Sequence, residues 1–412
     1  MSAASAEESL KLGEAKVTWA RSHMAILEEI RSRMEREQPF KGKTLSLVLH
    51  VEAKTAALAL ALKAGGGDVH LAASNPLTTD DSVVAYLISQ GLPTLARKGE
   101  SLADYSKGLE EMLRVKPDLI VDDGADLVAE AIRKSYKVMG STEETTTGVL
   151  RLKAMEREGK LPWPAIDVND ATMKHFFDNR YGTGQSTLDG IFSATNLSIA
   201  GRTAVVAGYG WCGKGVSSRL RGLGAEVIVT EIDPAKAVEA KLDGFRVLTM
   251  AEAVPHADFI VTVTGCIDVV RKEHFERMKD GCVMANSGHF DVEINKKELE
   301  KMSVEHRKAR PMVEEYRLPD GRKLYLLAEG RLVNLSAGQG HPVEIMDMSF
   351  SLQALSAEYL VKKGSSISPV VHPVPREIDD AVARAALRTY GAHLDKLNEE
   401  QKHYLASWQV GT

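Results

Sequence analysis

The sequence predicts an α/β protein with two doubly wound parallel sheets. Two observations carry the prediction. Short apolar runs alternate with helix-period segments between residues 45 and 121, and the alternation restarts at residue 203 around a glycine-rich turn. Such alternation implies mainly parallel sheets covered on both faces. At 412 residues the chain is long enough for two or three domains.

Residues 19–34 (WARSHMAILEEIRSRM) place apolar residues at helical spacing opposite charged ones and read as one amphipathic helix. Residues 45–49 form a short apolar strand that ends at His50. Residues 55–63 are helix-like and stop at Gly65-Gly66-Gly67, a strong breaker. Residues 69–73 read as a strand, 81–89 as a helix, and 119–121 as a buried strand running into Asp122-Asp123-Gly124. Ligands of such sheets bind beyond the carboxyl ends of the strands. His50, Asn75 and Asp123 stand at those ends. In the second unit, 204–207 is a strand, Gly208 to Gly213 a turn, 216–223 a helix and 225–230 a second strand. Further strands are expected at 259–263, 282–285 and 324–328. After Met346 the chain turns helical, at 349–361 and 378–403. Residues 183–187 and 338–347 read as the crossings between domains.

Composition narrows the function classes. A net charge of -5 and a pI near 6.2 give no electrostatic reason to expect nucleic acid or an anionic membrane as partner. A small molecule fits better. The longest apolar stretch, residues 56–62, is far short of the ~20 residues of a membrane span. The polar, acidic residues 1–16 lack the apolar core of a secretory signal. The three cysteines, Cys212, Cys266 and Cys282, form no CxxC pair and no zinc-like cluster. No metal is expected, and the cytoplasm is the expected compartment. Cys212 and Cys266 read as packing residues, and the charged run 296–310 as a solvated face.

Gly208, Gly210 and Gly213 form GxGxxG between a strand and a helix. The first allows a tight turn, the second lets backbone approach a pyrophosphate, and the third lets helix pack close to strand. An acid should follow about 20 residues on. Glu231 follows Gly210 by 21. Its carboxylate suits ribose hydroxyls and repels a 2′-phosphate, so NAD is expected over NADP, with Lys236 nearby the one feature that speaks for a phosphate.

Several long segments are more specific. They are VDDGADL (121–127), STEETTTGV (141–149), AIDVNDATMKHFFDNRYGTGQS (165–186), VVAGYGWCGKG (205–215), VTEIDP (229–234), GHFDVEI (288–294), LLAEGRLVNL (326–335) and GHP (340–342). With them, in this order, the chain resembles S-adenosylhomocysteine hydrolase over nearly its whole length. The resemblance implies an NAD-binding Rossmann domain (184–340) inserted into a substrate-binding domain (1–183 and 341–380), a C-terminal helical segment (381–412) and a homotetramer. It also implies the chemistry. Resident NAD oxidises the 3′-hydroxyl to a ketone, which acidifies the 4′ C–H. A base removes that proton, homocysteine leaves, water adds, and the ketone is reduced again.

The roles follow position by position. The resemblance makes Lys174 and Asp178, with Asn179 beside them, the pair that holds and deprotonates the 3′-hydroxyl; being four apart, they belong on one helix face. A lysine beside a positive nicotinamide ring can have a lowered pKa. Asp123 corresponds to the acid–base group near C4′ and C5′, and Glu144 to the carboxylate on the ribose hydroxyls. His50 and His289 correspond to the histidines at the 5′ carbon and the ribose–nicotinamide junction. His341 belongs to a loop that closes over substrate, with Asn334 leading into it and Met346 and Phe350 beyond. Thr145, Thr146 and Thr147 correspond to contacts of the nicotinamide end. Thr264, Gly265, Gly288 and His289 belong to the NAD cleft. Bland readings stand beside these: a surface ion pair for Lys174–Asp178, a helix cap for the threonines, a structural role for His50. A simple dehydrogenase would release NADH and would not need the SEETTTG-like and DDGxD segments. A non-catalytic regulator would be expected to lose part of the Lys/Asp/His set.

Three departures stand out. Thr183 takes the place of a cysteine found in many members. The chain stops at Thr412 without the basic, Tyr-containing tail that reaches a neighbour's NAD site, so fewer cross-subunit contacts to NAD are expected. The base-reading stretch is His50-Val51-Glu52-Ala53-Lys54-Thr55, where the common pattern has Thr and Glu or Gln in place of Glu52 and Lys54. A carboxylate only accepts and an ammonium only donates. Glu52 toward N1–H and Lys54 toward O6 would suit hypoxanthine. Alternatively Lys54 points to solvent or pairs with Glu52, and Glu52 accepts from N6 of adenine. Both S-adenosyl- and S-inosylhomocysteine stay open.

Overall fold

The structure, a computed structural model, describes residues 3–409; the terminal positions Met1 and Thr412, on which the readings of the chain ends rest, lie outside the described residues. The first sheet holds β1 (Thr44–Leu49), β2 (Asp68–Ala73), β3 (Thr94–Leu95), β4 (Leu119–Asp122), β5 (Gly140–Glu143), β6 (Ala165–Asp167) and a late strand (Val371–Pro373). Its order is late strand–β6–β5–β4–β1–β2–β3, all parallel. β1 and β4 are buried nearly throughout and read as continuous apolar runs, as strands covered on both faces should.

The second sheet holds β7 (Thr203–Ala207), β8 (Glu226–Thr230), β9 (Arg246–Val247), β10 (Phe259–Thr262), β11 (Val283–Asn286), β12 (Glu305–Arg310), β13 (Val313–Arg317) and β14 (Lys323–Leu327). Its order is β12–β13–β14–β11–β10–β7–β8–β9. It is parallel except at one edge, where β12, β13 and β14 run antiparallel. The edge strand β12 (EHRKAR) is exposed at every position, so part of the charged run is a strand whose charges discourage edge pairing.

Two expected helices are each broken in two. Residues 19–34 belong to Ala3–Ser22 and Ala25–Glu37, which meet at His23 and Met24. Met24 leaves helical geometry and offers no side-chain cap. Asp347, from the helix Val343–Lys363, supplies it by accepting from the backbone N–H groups of Ile26 (2.9 Å) and Leu27 (2.8 Å). Residues 378–403 divide into Arg376–Thr389 and Glu399–Ala406, with Gly391 at φ +64° just past the first. The boundary expected at 380/381 falls inside the first of these helices. Its Val382, Ala385 and Ala386 are buried in the core of the first sheet.

Candidate active site

The carboxyl ends of both sheets face one cleft of about 1490 Å³. His50 follows β1, Asp123 follows β4 and Glu144 follows β5. From the other wall come Gly208 after β7, Glu231 after β8 and His289 beyond β11.

Asp123 lies at the centre. Its Oδ2 is 3.3 Å from His50 Nε2 and its Oδ1 is 3.5 Å from His289 Nδ1. His50 Nδ1 meets the hydroxyl of Thr78 at 2.7 Å. Burial pushes the His50 imidazole down to about 4, with Asp123 opposing and His289 and His341 adding to the shift. Neutral imidazole is therefore the form at neutral pH. Gly124 carries φ +104°, and a Cβ there would strike His289. Only glycine allows both the turn and this close approach.

Lys174, Asp178 and Asn179 form the second cluster. The chain runs from Thr172–Lys174 through a π-helical stretch, His175–Gly182, into the helix Thr183–Thr195. An ordinary α-helix would favour the i,i+4 partner. The wider turn brings both partners in: Lys174 Nζ donates to Asp178 Oδ1 (2.9 Å) and Asn179 Oδ1 (2.7 Å). Glu144 Oε1 stands 3.6 Å from the same ammonium. Burial pulls Lys174 down, but Asp178 and Glu144 outweigh it and hold the ammonium above the ordinary lysine value. In the protein alone its pKa is thus raised, not lowered as the ring-side argument expects. Burial lifts Glu144 to about 7 against the pull of Lys174. Glu144 accepts from Ser349 Oγ (2.6 Å) and Gln353 Nε2 (2.5 Å). The i,i+4 pair is buried, so the surface reading fails.

Thr145, Thr146 and Thr147 line the cleft, and Thr145 also caps the helix Thr146–Arg157, so the cap reading holds for that one. Thr146 donates to Asn169 Oδ1 (3.2 Å), which also accepts from Asn179 Nδ2 (3.1 Å). Asn169 was not singled out from sequence; its signal is its place inside the 165–186 motif. His341 Nε2 meets Thr183 Oγ1 at 3.1 Å and lies 3.7 Å from Asp178 Oδ1. Asn334, Met346 and Phe350 line the cleft beside it. Cys212 and Cys266 also line it; Cys266 is exposed, so the packing reading fails for it, whereas Cys212 is half-buried and accepts from Thr183 Oγ1.

Glu52 and Thr55 line the cleft but Lys54 does not. Lys54 Nζ is 2.8 Å from Glu52 Oε2 and donates to the carbonyl of Gln339 (2.9 Å). Without ligand, the pairing of Lys54 with Glu52 is what forms, and the ammonium does not stand free to meet a base.

The second wall fits a dinucleotide. Gly208 has φ +102°, and a Cβ at Gly213 would strike the Gly208 carbonyl. Gly213 does not line the cleft; it lets the helix Trp211–Gly222 start against β7. No side chain caps that helix start, leaving its N–H groups for an anion. Glu231 Oε2 accepts from Tyr209 N (2.6 Å), which sets its carboxylate beside the glycine turn. Glu293, also missed from sequence, fixes the neighbouring loop by accepting from Thr264 N (2.9 Å) and Gly265 N (2.8 Å). The buried Asn334 Oδ1 has no hydrogen-bond partner among the described residues, as expected of an atom kept for a ligand.

Comparison with known proteins agrees with this arrangement. The family model described as S-adenosyl-L-homocysteine hydrolase matches residues 6–139, and that described as its NAD binding domain matches 179–340. An adenosylhomocysteinase of Aquifex aeolicus is 56% identical over 99% of this chain and 98% of its own. One of Pyrococcus abyssi is 54% identical over 97% of this chain and 96% of its own. A protein of Methanocaldococcus jannaschii named S-inosyl-L-homocysteine hydrolase is 51% identical over 98% of both. With its two sheets, its glycine cradle and its two polar clusters in one cleft, the chain belongs to the S-adenosyl-L-homocysteine hydrolase family.

Proposed function

We propose that the protein reversibly cleaves the thioether of S-adenosyl-L-homocysteine to homocysteine and adenosine. The observation that carries this reading is the buried Lys174–Asp178–Asn179–Glu144 cluster sharing one cleft with the His50–Asp123–His289 line. Bound NAD would supply reversible hydride acceptance at the 3′ carbon. Gly208, Gly210, Glu231 and the Thr264–Gly265 loop would hold it. Lys174 and Asp178 grip the 3′-hydroxyl and receive its proton. Lys174 becomes a base only where positive charge nearby offsets the two carboxylates that now hold it charged. Glu144 accepts from the ribose hydroxyls. Asp123 takes the 4′ proton as the C–S bond breaks and homocysteine leaves as thiolate. Water then adds to the 4′,5′-alkene at C5′, with Asp123 returning the 4′ proton and neutral His50 placed to carry the water's proton to the departing thiolate.

The test is release of free thiol by the purified, NAD-loaded protein without accumulation of NADH. K174M and D178N are each expected to lower kcat at least about 100-fold, the lower end for general acid–base groups. No thiol release from either thioether would refute the reading.

Adenine is assigned first because Glu52 lines the cleft as an acceptor and N6 is a donor. The inosyl thioether is the second reading. The adjacent Glu52 acceptor and Lys54 donor also match N1–H and O6 of hypoxanthine, once ligand draws Lys54 from Gln339. A side-by-side assay decides: a tenfold or greater preference for either thioether names the base.

We further propose a homotetramer in the cytoplasm. The helix Glu399–Ala406 buries none of its residues, and Leu405 within it and Trp408 just past it are exposed, as a segment awaiting a second copy would be. The three thiols are all free, which suits a reducing compartment. Among the described residues, no helix is long and apolar enough to cross a membrane.

A further inference from the structure

Asp122, Glu143 and Asp167 stand side by side at the ends of β4, β5 and β6. Register pairs Asp122 with Glu143 and Glu143 with Asp167. Paired residues of adjacent strands share a face, and the next residue along each strand turns to the other. The proposed reaction uses the next residues, Asp123 and Glu144, and leaves this row without a role. All three of its acids are buried.

Glu143 is the middle of the row and has no exposed surface. Its Oε1 accepts from Gly124 N at 2.8 Å, and from Thr145 N and Thr145 Oγ1 at 3.0 Å each. Gly124 follows Asp123 and Thr145 follows Glu144. One oxygen therefore holds the turn behind each of the two carboxylates in the cleft. Gly148 leaves room for it, since a Cβ there would strike the Glu143 carboxyl. Oε2 is buried without a hydrogen-bond partner among the described residues. Burial, with Asp122 and Asp123 alongside, pushes the carboxyl well above its usual range against the pull of the two backbone N–H groups.

We propose that Glu143 is a positioning residue: it sets the spacing of Asp123 and Glu144 by tying together the turns that follow them. The inference rests on the reaction proposed above.

The test compares E143A, E143D and E143Q in NAD-loaded protein, reading NAD content, KM and kcat. It also follows two partial steps: 3′-oxidation, seen as NADH absorbance on adding adenosine, and thiol release. E143A is expected to lower kcat at least 30-fold with KM within threefold and NAD content unchanged. Both partial steps should fall together, because each depends on one of the tied turns. E143Q keeps an acceptor in place and is expected to recover most of the loss. A purely structural role would lower thermal stability or NAD content and spare kcat. E143A within threefold of wild type in kcat, or E143Q no better than E143A, would overturn the inference. If E143A does not fold, E143D decides: its shorter side chain cannot reach both turns, and kcat within threefold of wild type would overturn the idea. Inactive wild-type protein would instead overturn the reaction itself, and the inference with it.

Discussion

Acidification probes the environment of His50. One ring nitrogen meets the Thr78 hydroxyl at 2.7 Å and the other lies 3.3 Å from Asp123. Burial takes the ring from 6.5 down to about 4 despite the nearby carboxylate. An unfolded chain protonates this histidine near pH 6.5, the folded one only near pH 4. Between those values the unfolded state binds more protons, so stability falls as pH falls. The contribution is fully present above pH 6.5 and is lost on descent through about 4. The gap, at ~1.4 kcal/mol per pH unit, amounts to about 3 kcal/mol. The assay is denaturant unfolding of wild type and H50N between pH 7.5 and 4. Buried acids such as Asp122 (about 7) and Asp167 (about 6) titrate in the same window. They are common to both proteins, so only the difference is read. Wild-type stability relative to H50N is expected to shrink by about 3 kcal/mol on acidification. A difference that does not change with pH would refute the claim that His50 is buried and neutral.

Three further perturbations follow from the geometry. G213A places a methyl against the Gly208 carbonyl and forces the strand-to-helix turn open; NAD content of the purified protein is expected to fall at least tenfold, and unchanged content would contradict the close packing. D347A removes both acceptors from the start of the helix Ala25–Glu37, at a cost of about 1–2 kcal/mol, read as a lower unfolding midpoint. R33M leaves the buried Glu358 with Lys362 alone and should cost about 2 kcal/mol at pH 7. Burial works against Glu358, but Arg33 and Lys362 hold it below the usual carboxylate value. The R33M deficit should therefore be full above pH 4.5 and fade as pH drops through the lower folded value; a deficit constant down to pH 3 would contradict the ion pair.

The sheets were legible because parallel strands covered on both faces are continuous apolar runs, as 45–49 and 119–121 are. The site was legible because the chemistry gathers where those runs end. Other features depend on partners no local pattern reveals. The break at Met24 is stabilised by Asp347, far along the chain. Lys54 looks free to read a base until the fold brings the Gln339 carbonyl beside it. The contact of Lys174 with Asn179 needs a π-turn that helical spacing does not announce. The doubled acids are the instructive case. In the sequence Asp122-Asp123 and Glu143-Glu144 are adjacent acids, and the resemblance gives a role only to the second of each pair. At a strand end, alternation splits each pair: one carboxyl turns beneath the loops and the other into the cleft. Asp122 accepts from Asp123 N (3.0 Å) and Val128 N (2.9 Å), as Glu143 does from Gly124 N and Thr145 N. The first acid of each pair thus accepts hydrogen bonds from the backbone around the second. A doubled acid closing a buried strand can therefore be read as a support followed by a reacting group.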